Sequence, residues 1–275
     1  MSVIAILCIL AIVLSITVFM VWASASIRSG VYVRAFCREK TDRKVVYLTF
    51  DDGPHPPETE RVLDVLRERG ARATFFLIGS KVSGNEAVLR RMLEEGHALG
   101  LHTYSHVGTF PLLSFDKMLA DVNEGKRAVE SVAGKKISLF RPPFGVTNPT
   151  IAKVIRTLGL QTVGWDVRSF DTMFCKSSEH SCKSSGHSCK QSGYSCKQSE
   201  HSCKQSGHDW YVPVVERIMK QVRPGSVILL HDRLDGASDL LALLLDSLAA
   251  SGYGFTRALP NTLTSSSDSS ETNLS

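Results

Sequence analysis

At 275 residues, 43% of them hydrophobic, the chain has the material for one large domain or two small ones with a real core. Its net charge of +5 is small and spread along the sequence, which excludes the concentrated basic footprint of a nucleic-acid binder. Function has to be read from local patterns.

Residues 3–27 carry no charged side chain and 3–22 are almost wholly apolar. About twenty apolar residues in a helix match the ~30 Å hydrocarbon core of a bilayer. The length of that run and the lack of a basic start point to an uncleaved signal anchor over 1–27, crossing the membrane in a single pass. Ala23-Ser24-Ala25 is a passable cleavage site, so secretion after signal cleavage is the alternative. Residues 28–43 read as a basic linker: Arg28, Arg34, Arg38, Lys40 and Arg43, with Lys44 beyond, follow the apolar run, and nothing basic precedes it. Taken alone, the positive-inside rule would leave the rest of the chain in the cytoplasm.

The run 45–54, V-V-Y-L-T-F-D-D-G-P, reads as a buried strand that delivers Asp51 and Asp52 to the rim of a sheet. Adjacent carboxylates there are costly unless a cation or a shared proton relieves them. The plain alternative is an Asx turn capping the helix that follows. Beyond it, spacing predicts helices over 58–69, 86–95, 114–133, 148–158, 214–222 and 237–250, with Val62, Val65 and Leu66 as the inner face of the first. Strands are predicted over 73–78, 98–101, 137–140, 161–167, 227–230 and 253–257, and a polar tail follows from 258. This alternation argues an α/β fold with a parallel sheet covered by helices. The polar clusters fall just after strands, on the face where such folds build active sites.

His102 and His106 stand four apart, close to one helical turn, so both imidazoles can face one point. With one carboxylate they would make a His-His-Asp metal site; without it they are loop and cap histidines. Arg141, ahead of two prolines, is a fixed cation on a stiff loop or a plain surface charge. His231, ending an apolar strand, is a functional group or a core histidine held by a backbone carbonyl.

Cys175, Cys182, Cys189, Cys196 and Cys203 are seven apart, with His180, His187, Tyr194, His201 and His208 at the same period. Ser, Gly, Gln and Lys fill the unit and no second apolar position exists, which excludes a coiled coil and predicts a polar insertion over 175–209. The near-identical units suggest tandem duplication of a short coding segment; soft-metal capture or disulfide cross-linking is the functional alternative.

Taken together and in order, T-F-D-D-G-P, H-T-Y-S-H, R-P-P-F-G, W-D-V-R-S-F-D and L-L-H-D resemble the five motifs of the polysaccharide deacetylases of the NodB-homology type, carbohydrate esterase family 4. The resemblance covers a domain over about residues 44–257, apart from the insertion. It implies a distorted (β/α) barrel of about seven parallel strands. It also implies a divalent metal, zinc first, with cobalt, nickel and manganese as alternatives.

Carried over motif by motif, Asp52, His102 and His106 look like the metal ligands and Asp51 like the general base, oriented by Arg141. His231 looks like the general acid, tuned by Asp171. Leu229 would line the acetyl pocket, and the backbone amide of Phe144 would donate to the oxyanion. The implied reaction removes the N-acetyl group of a peptidoglycan- or chitin-like amino-sugar polysaccharide and releases acetate. Alternatives are an O-acetyl esterase on a glycan, a deacylase of a lipid-linked sugar, an inactive glycan-binding module and an envelope cross-linking protein. The fourth motif departs from the family pattern, since Asp171 is followed by Thr172 rather than Trp. Asp209-Trp210 is a second possible partner pair; Asp171 is preferred for its distance from the strand at 161–167.

Overall fold

The computed structural model describes residues 2–173 and 210–260, so the heptapeptide repeat lies outside the described residues. Helix α1 (Val3–Ala25) opens with Ser2, whose hydroxyl accepts from the Ala5 amide at 3.3 Å. It is long and apolar enough to cross a membrane by length and composition.

The strands are β1 (Ala35–Phe36), β2 (Val46–Asp51), β3 (Ala73–Leu77), β4 (Ala98–Leu101), β5 (Leu139–Phe140), β6 (Gln161–Val163), β7 (Val167–Arg168) and β8 (Ser226–His231). They form one sheet of eight strands in the order β1-β6-β5-β4-β3-β2-β8-β7. Every pairing is parallel. Around it lie α2 (Glu58–Glu68), α3 (Glu86–Glu94), α4 (Phe115–Ala133), α5 (Pro149–Thr157), α6 (Tyr211–Gln221) and α7 (Ala237–Ala250). Strands covered on both faces read as continuous apolar runs; all six residues of β2 are buried. The core passes through stacked Phe50 and Phe75, with ring centroids 5.1 Å apart.

The fold is the expected α/β one, a parallel sheet curled into a half-barrel, with local differences from the sequence expectation. The strand expected over 161–167 is two strands on opposite sides of the sheet. Asp166 accepts from the Val227 amide at 2.8 Å and the Ser226 hydroxyl at 2.9 Å, which ties the chain to β8 instead of extending β6. Residues 164–166 alone join β6 to β7, and so short a link reaches ~14 Å at most. The sheet must therefore curl until those two strands approach.

The strand expected over 253–257 reduces to one bridge, Val45 with Gly254. The segment 28–43, read from its charge as a linker, supplies edge strand β1 and a bridge from Arg38 to Ser226. In α2 the buried apolar face is Val62, Leu63 and Leu66, with Val65 only partly covered.

Candidate metal and acid-base centre

β2 ends at Asp51, and Asp52 follows with φ of 73°. That left-handed conformation is open to Asp more readily than to most residues. It turns the chain so that neighbouring carboxylates both serve the rim. His102 comes directly after β4. The helical turn expected for His102 and His106 is absent: the segment is a loop with positive φ at Thr103 (66°) and His106 (48°). The Asp121 carboxylate accepts from the amides of Tyr104 and Ser105 at 3.0 and 3.2 Å, which holds that loop in shape.

The outcome is a cluster of Asp52, His102 and His106 whose ligating atoms all lie within 4.8 Å of one another. His102 Nδ1 is 2.7 Å from the Arg141 carbonyl. A carbonyl only accepts, so Nδ1 carries the hydrogen and Nε2 presents its lone pair. The Nε2 atoms of His102 and His106 are 3.1 Å apart, and Asp52 Oδ1 is 3.6 and 3.4 Å from them. Ligands ~2.0–2.1 Å from a tetrahedral ion stand ~3.3–3.4 Å apart, so the spacing suits one divalent cation.

Protonation suits it too. Burial lowers the His106 pKa, the charge of His102 adds to this, and Asp52 and Asp51 do not reverse it. For Asp52, burial pulls upward but His102, His231, His106 and a hydrogen bond from Arg233 prevail and hold it low. A neutral imidazole and an ionised carboxylate are the forms that bind metal. His102→Ala is expected to lose stoichiometric divalent metal while the far-ultraviolet circular dichroism stays native. Full metal content in that variant would remove the cluster from consideration.

Beside the triad, Asp51 and His231 are register partners on adjoining strands β2 and β8. Arg141, fully buried, donates to Asp51 Oδ1 at 2.7 Å, Thr49 Oγ1 at 2.9 Å, and the carbonyls of Val163 and Gly164 at 3.2 and 2.9 Å. Its guanidinium lies 4.1 Å from the Phe76 ring centroid and 5.5 Å from that of Trp165. Asp51 Oδ2 is left facing the cluster, 4.0 Å from His102 Nε2. Asp171 grips His231 twice, accepting from Nδ1 at 2.8 Å and from the backbone amide at 2.9 Å. Burial pulls the His231 pKa down, but Asp171, with Asp51 and Asp52 beyond, outweighs it and raises it above the usual imidazole range.

Phe144 sits at φ of 60° with its ring 5.4 Å from that of His106. Leu229 is buried in β8, two residues before His231. The rim thus brings together Asp51, Asp52, His102, His106, Phe144, His231 and Asp171; Arg141 lies beneath Asp51. Asp209 is outside the described residues.

Sequence reasoning missed Arg233, whose Nε donates to Asp52 Oδ2 at 2.8 Å. It missed Lys81, which donates to the Asp52 carbonyl at 2.7 Å, and Thr49. Two of these adjoin motifs already singled out, Thr49 in T-F-D-D and Arg233 after H-D. Nothing local marks Lys81.

A carboxylate, an imidazole and a metal-spaced triad on one rim are the parts of a hydrolase that delivers water to an acyl group. A family model described as polysaccharide deacetylase matches residues 38–163. The chain is 32% identical over 221 residues to the peptidoglycan-N-acetylglucosamine deacetylase of Bacillus cereus, with 78% of this chain and 86% of that one covered. It is 29% identical over 192 residues to a chitooligosaccharide deacetylase of Azorhizobium caulinodans, with 68% and 73% covered. Among solved structures, peptidoglycan deacetylase PdaC from Bacillus subtilis matches with a TM-score of 0.58 at 29% identity, over 77% of this chain and 86% of that one. A family 4 carbohydrate esterase from Streptomyces lividans in complex with acetate matches with a TM-score of 0.59 at 27% identity, over 78% and 92%. The chain belongs to the polysaccharide deacetylase family, carbohydrate esterase family 4. Deacetylases of this family use a divalent metal, and the Asp-His-His cluster is where this chain could hold one.

Proposed function

We propose that the protein hydrolyses the N-acetyl group of an amino-sugar glycan of the peptidoglycan or chitin kind, in a domain over about 44–257. The observation that carries this reading is the register pairing of Asp51 with His231 beside the metal-spaced triad. A divalent metal on Asp52, His102 and His106, zinc by the character of that donor set, would polarise the acetyl carbonyl and make water a stronger acid.

The chain's own residues do the rest. Asp51 takes a proton from the attacking water through Oδ2, because Oδ1 is held by Arg141. The Phe144 amide, on the rim beside His106, donates to the oxygen that gains charge. His231 gives the proton on Nε2 to the departing nitrogen, because Nδ1 is committed to Asp171. The C–N bond breaks, and acetate and a free amino sugar leave. An inactive binding module would have no use for a carboxylate and an imidazole so paired.

The raised pKa of His231 keeps the acid protonated to higher pH. In Asp171→Asn that support is lost, so the alkaline limb of kcat/KM for acetate release is expected to move to lower pH. A limb that stays in place would mean that another group supplies the proton.

We further propose that α1 anchors the domain outside the cytoplasmic membrane, as glycans of the peptidoglycan kind require, with secretion after cleavage as the alternative. The basic flank argues the other way, but part of it is engaged in the fold. Arg38 Nε donates to the Pro224 carbonyl at 3.0 Å and Lys44 Nζ to that of Ser251 at 3.1 Å.

A further inference from the structure

Outside α1, the exposed large apolar side chains among the described residues are Val31, Val107, Leu112, Phe144, Met173 and Val212. All but Val31 are placed at one end of the barrel. Val107 and Leu112 lie between β4 and α4, Phe144 between β5 and α5, Met173 just past β7, and Val212 in the first turn of α6. In a parallel sheet, segments leaving strands and the N-termini of the covering helices share one end of the barrel. That end carries the catalytic rim. Val31 lies between α1 and β1. At the opposite end the segment entering β1 exposes Val31, whereas 95–97, 134–138 and 222–225, which enter strands, and 251–254, which bridges to Val45, expose no large apolar side chain. Leu112 is 85% exposed and Met173 64%, so both side chains are free to enter an apolar phase.

The second observation is where α1 joins the domain. Its last turn is packed against the rim: the Thr147 amide donates to the Ser24 carbonyl at 2.9 Å, and Ala23 and Thr147 are both buried. Ile27, also buried, lies against Gly164, where an added Cβ would come within 3.1 Å of Ile27 Cγ2. Thr147 is three residues from Phe144 and Gly164 directly follows β6. The rest of α1 is ~29 Å of helix that is apolar on every side and bare. An all-round apolar helix belongs in lipid. Pinned at the rim rather than hung on a tether, it brings the rim to the surface that it enters.

We infer that the catalytic face rests on the bilayer that holds α1, with Leu112 and Met173 reaching into its interface, and that the substrate is an amino-sugar glycan still carried on a membrane lipid. This rests on the deacetylase reading of the site and on retention of α1. A sugar held at the lipid surface reaches the cleft directly, whereas a polymer remote from the membrane does not. The reaction therefore falls after the step that places the sugar on its lipid carrier and before the step that transfers the glycan away.

The full chain, in nanodiscs with a phospholipid bearing a photoreactive group near its headgroup, tests the orientation without reference to activity. Cross-links are expected in peptides covering 104–114, 142–147 and 170–173, and not in 222–225 or 251–254. Cross-links confined to α1, or shared by both ends of the barrel, would overturn it. For the substrate, Leu112→Glu combined with Met173→Glu is compared with the unaltered chain in the same nanodiscs. Acetate release from N-acetylglucosamine on a polyprenyl diphosphate should fall on the order of tenfold through misplacement, with release from a soluble N-acetylated oligosaccharide unchanged. Equal falls, or no fall, would refute the substrate class. If the unaltered chain releases acetate from neither, the deacetylase reading fails, and the cross-links still decide the orientation.

Discussion

His231→Ala and Asp51→Asn are each expected to lower kcat for acetate release by roughly 10²–10⁴-fold with metal content retained; Asp51→Asn is also expected to lower Tm, because the buried Arg141 loses its counter-charge. The two side chains sit opposite each other on β8 and β2, and each has one polar atom engaged and one spare. Asp51 Oδ1 is bound by Arg141 and His231 Nδ1 by Asp171. The spare atoms, Asp51 Oδ2 and His231 Nε2, are the groups left to move protons in opposite directions. A loss of only a few-fold in either variant, measured at saturating substrate and fixed free metal, would show that a different group does that work.

Arg141→Met is expected to be the most damaging single change to stability. The guanidinium is buried with Asp51, and its removal strands a carboxylate, a threonine hydroxyl and two carbonyls in the barrel interior. Removing one partner of a buried pair costs about 3–5 kcal/mol, a fall in Tm on the order of 10 °C for a domain of this size. Activity should disappear with it, since Asp51 loses its counter-charge and its aim. Combining the change with Asp51→Asn removes the stranded charge and should recover part of the Tm but none of the activity. A single variant that melts within a degree or two of the unaltered chain would show that the guanidinium is not holding the barrel interior together.

What could be read from the chain were the groups that chemistry crowds into short motifs at strand ends. Asp51, Asp52, His102, His106, Arg141 and His231 each stand in or beside a strongly patterned segment, and the alternation of strand and helix gave the parallel sheet. What escaped depends on contacts distant in sequence. His102 and His106 meet through positive φ at Thr103 and His106 and through Asp121 on α4, not through helical spacing. β1 is two residues of an edge strand inside a basic segment, too short to leave a period. The division between β6 and β7 is set by Asp166 bonding to β8, a partner 60 residues away. Arg233 and Lys81 touch Asp52 across loops that no local pattern connects. The cysteine repeat, the most regular feature of the sequence, lies outside the described residues.

The central claim, that this rim is a metal-supported deacetylase centre, is tested most directly by acetate. The purified full chain is incubated with an N-acetylated glucosamine oligosaccharide, then treated with chelator, then resupplied with zinc. Acetate and free amine released in equal amounts, abolished by chelator and restored by metal, is the predicted result. Release that persists unchanged after the metal has been stripped, or no release with the metal fully loaded, would contradict it.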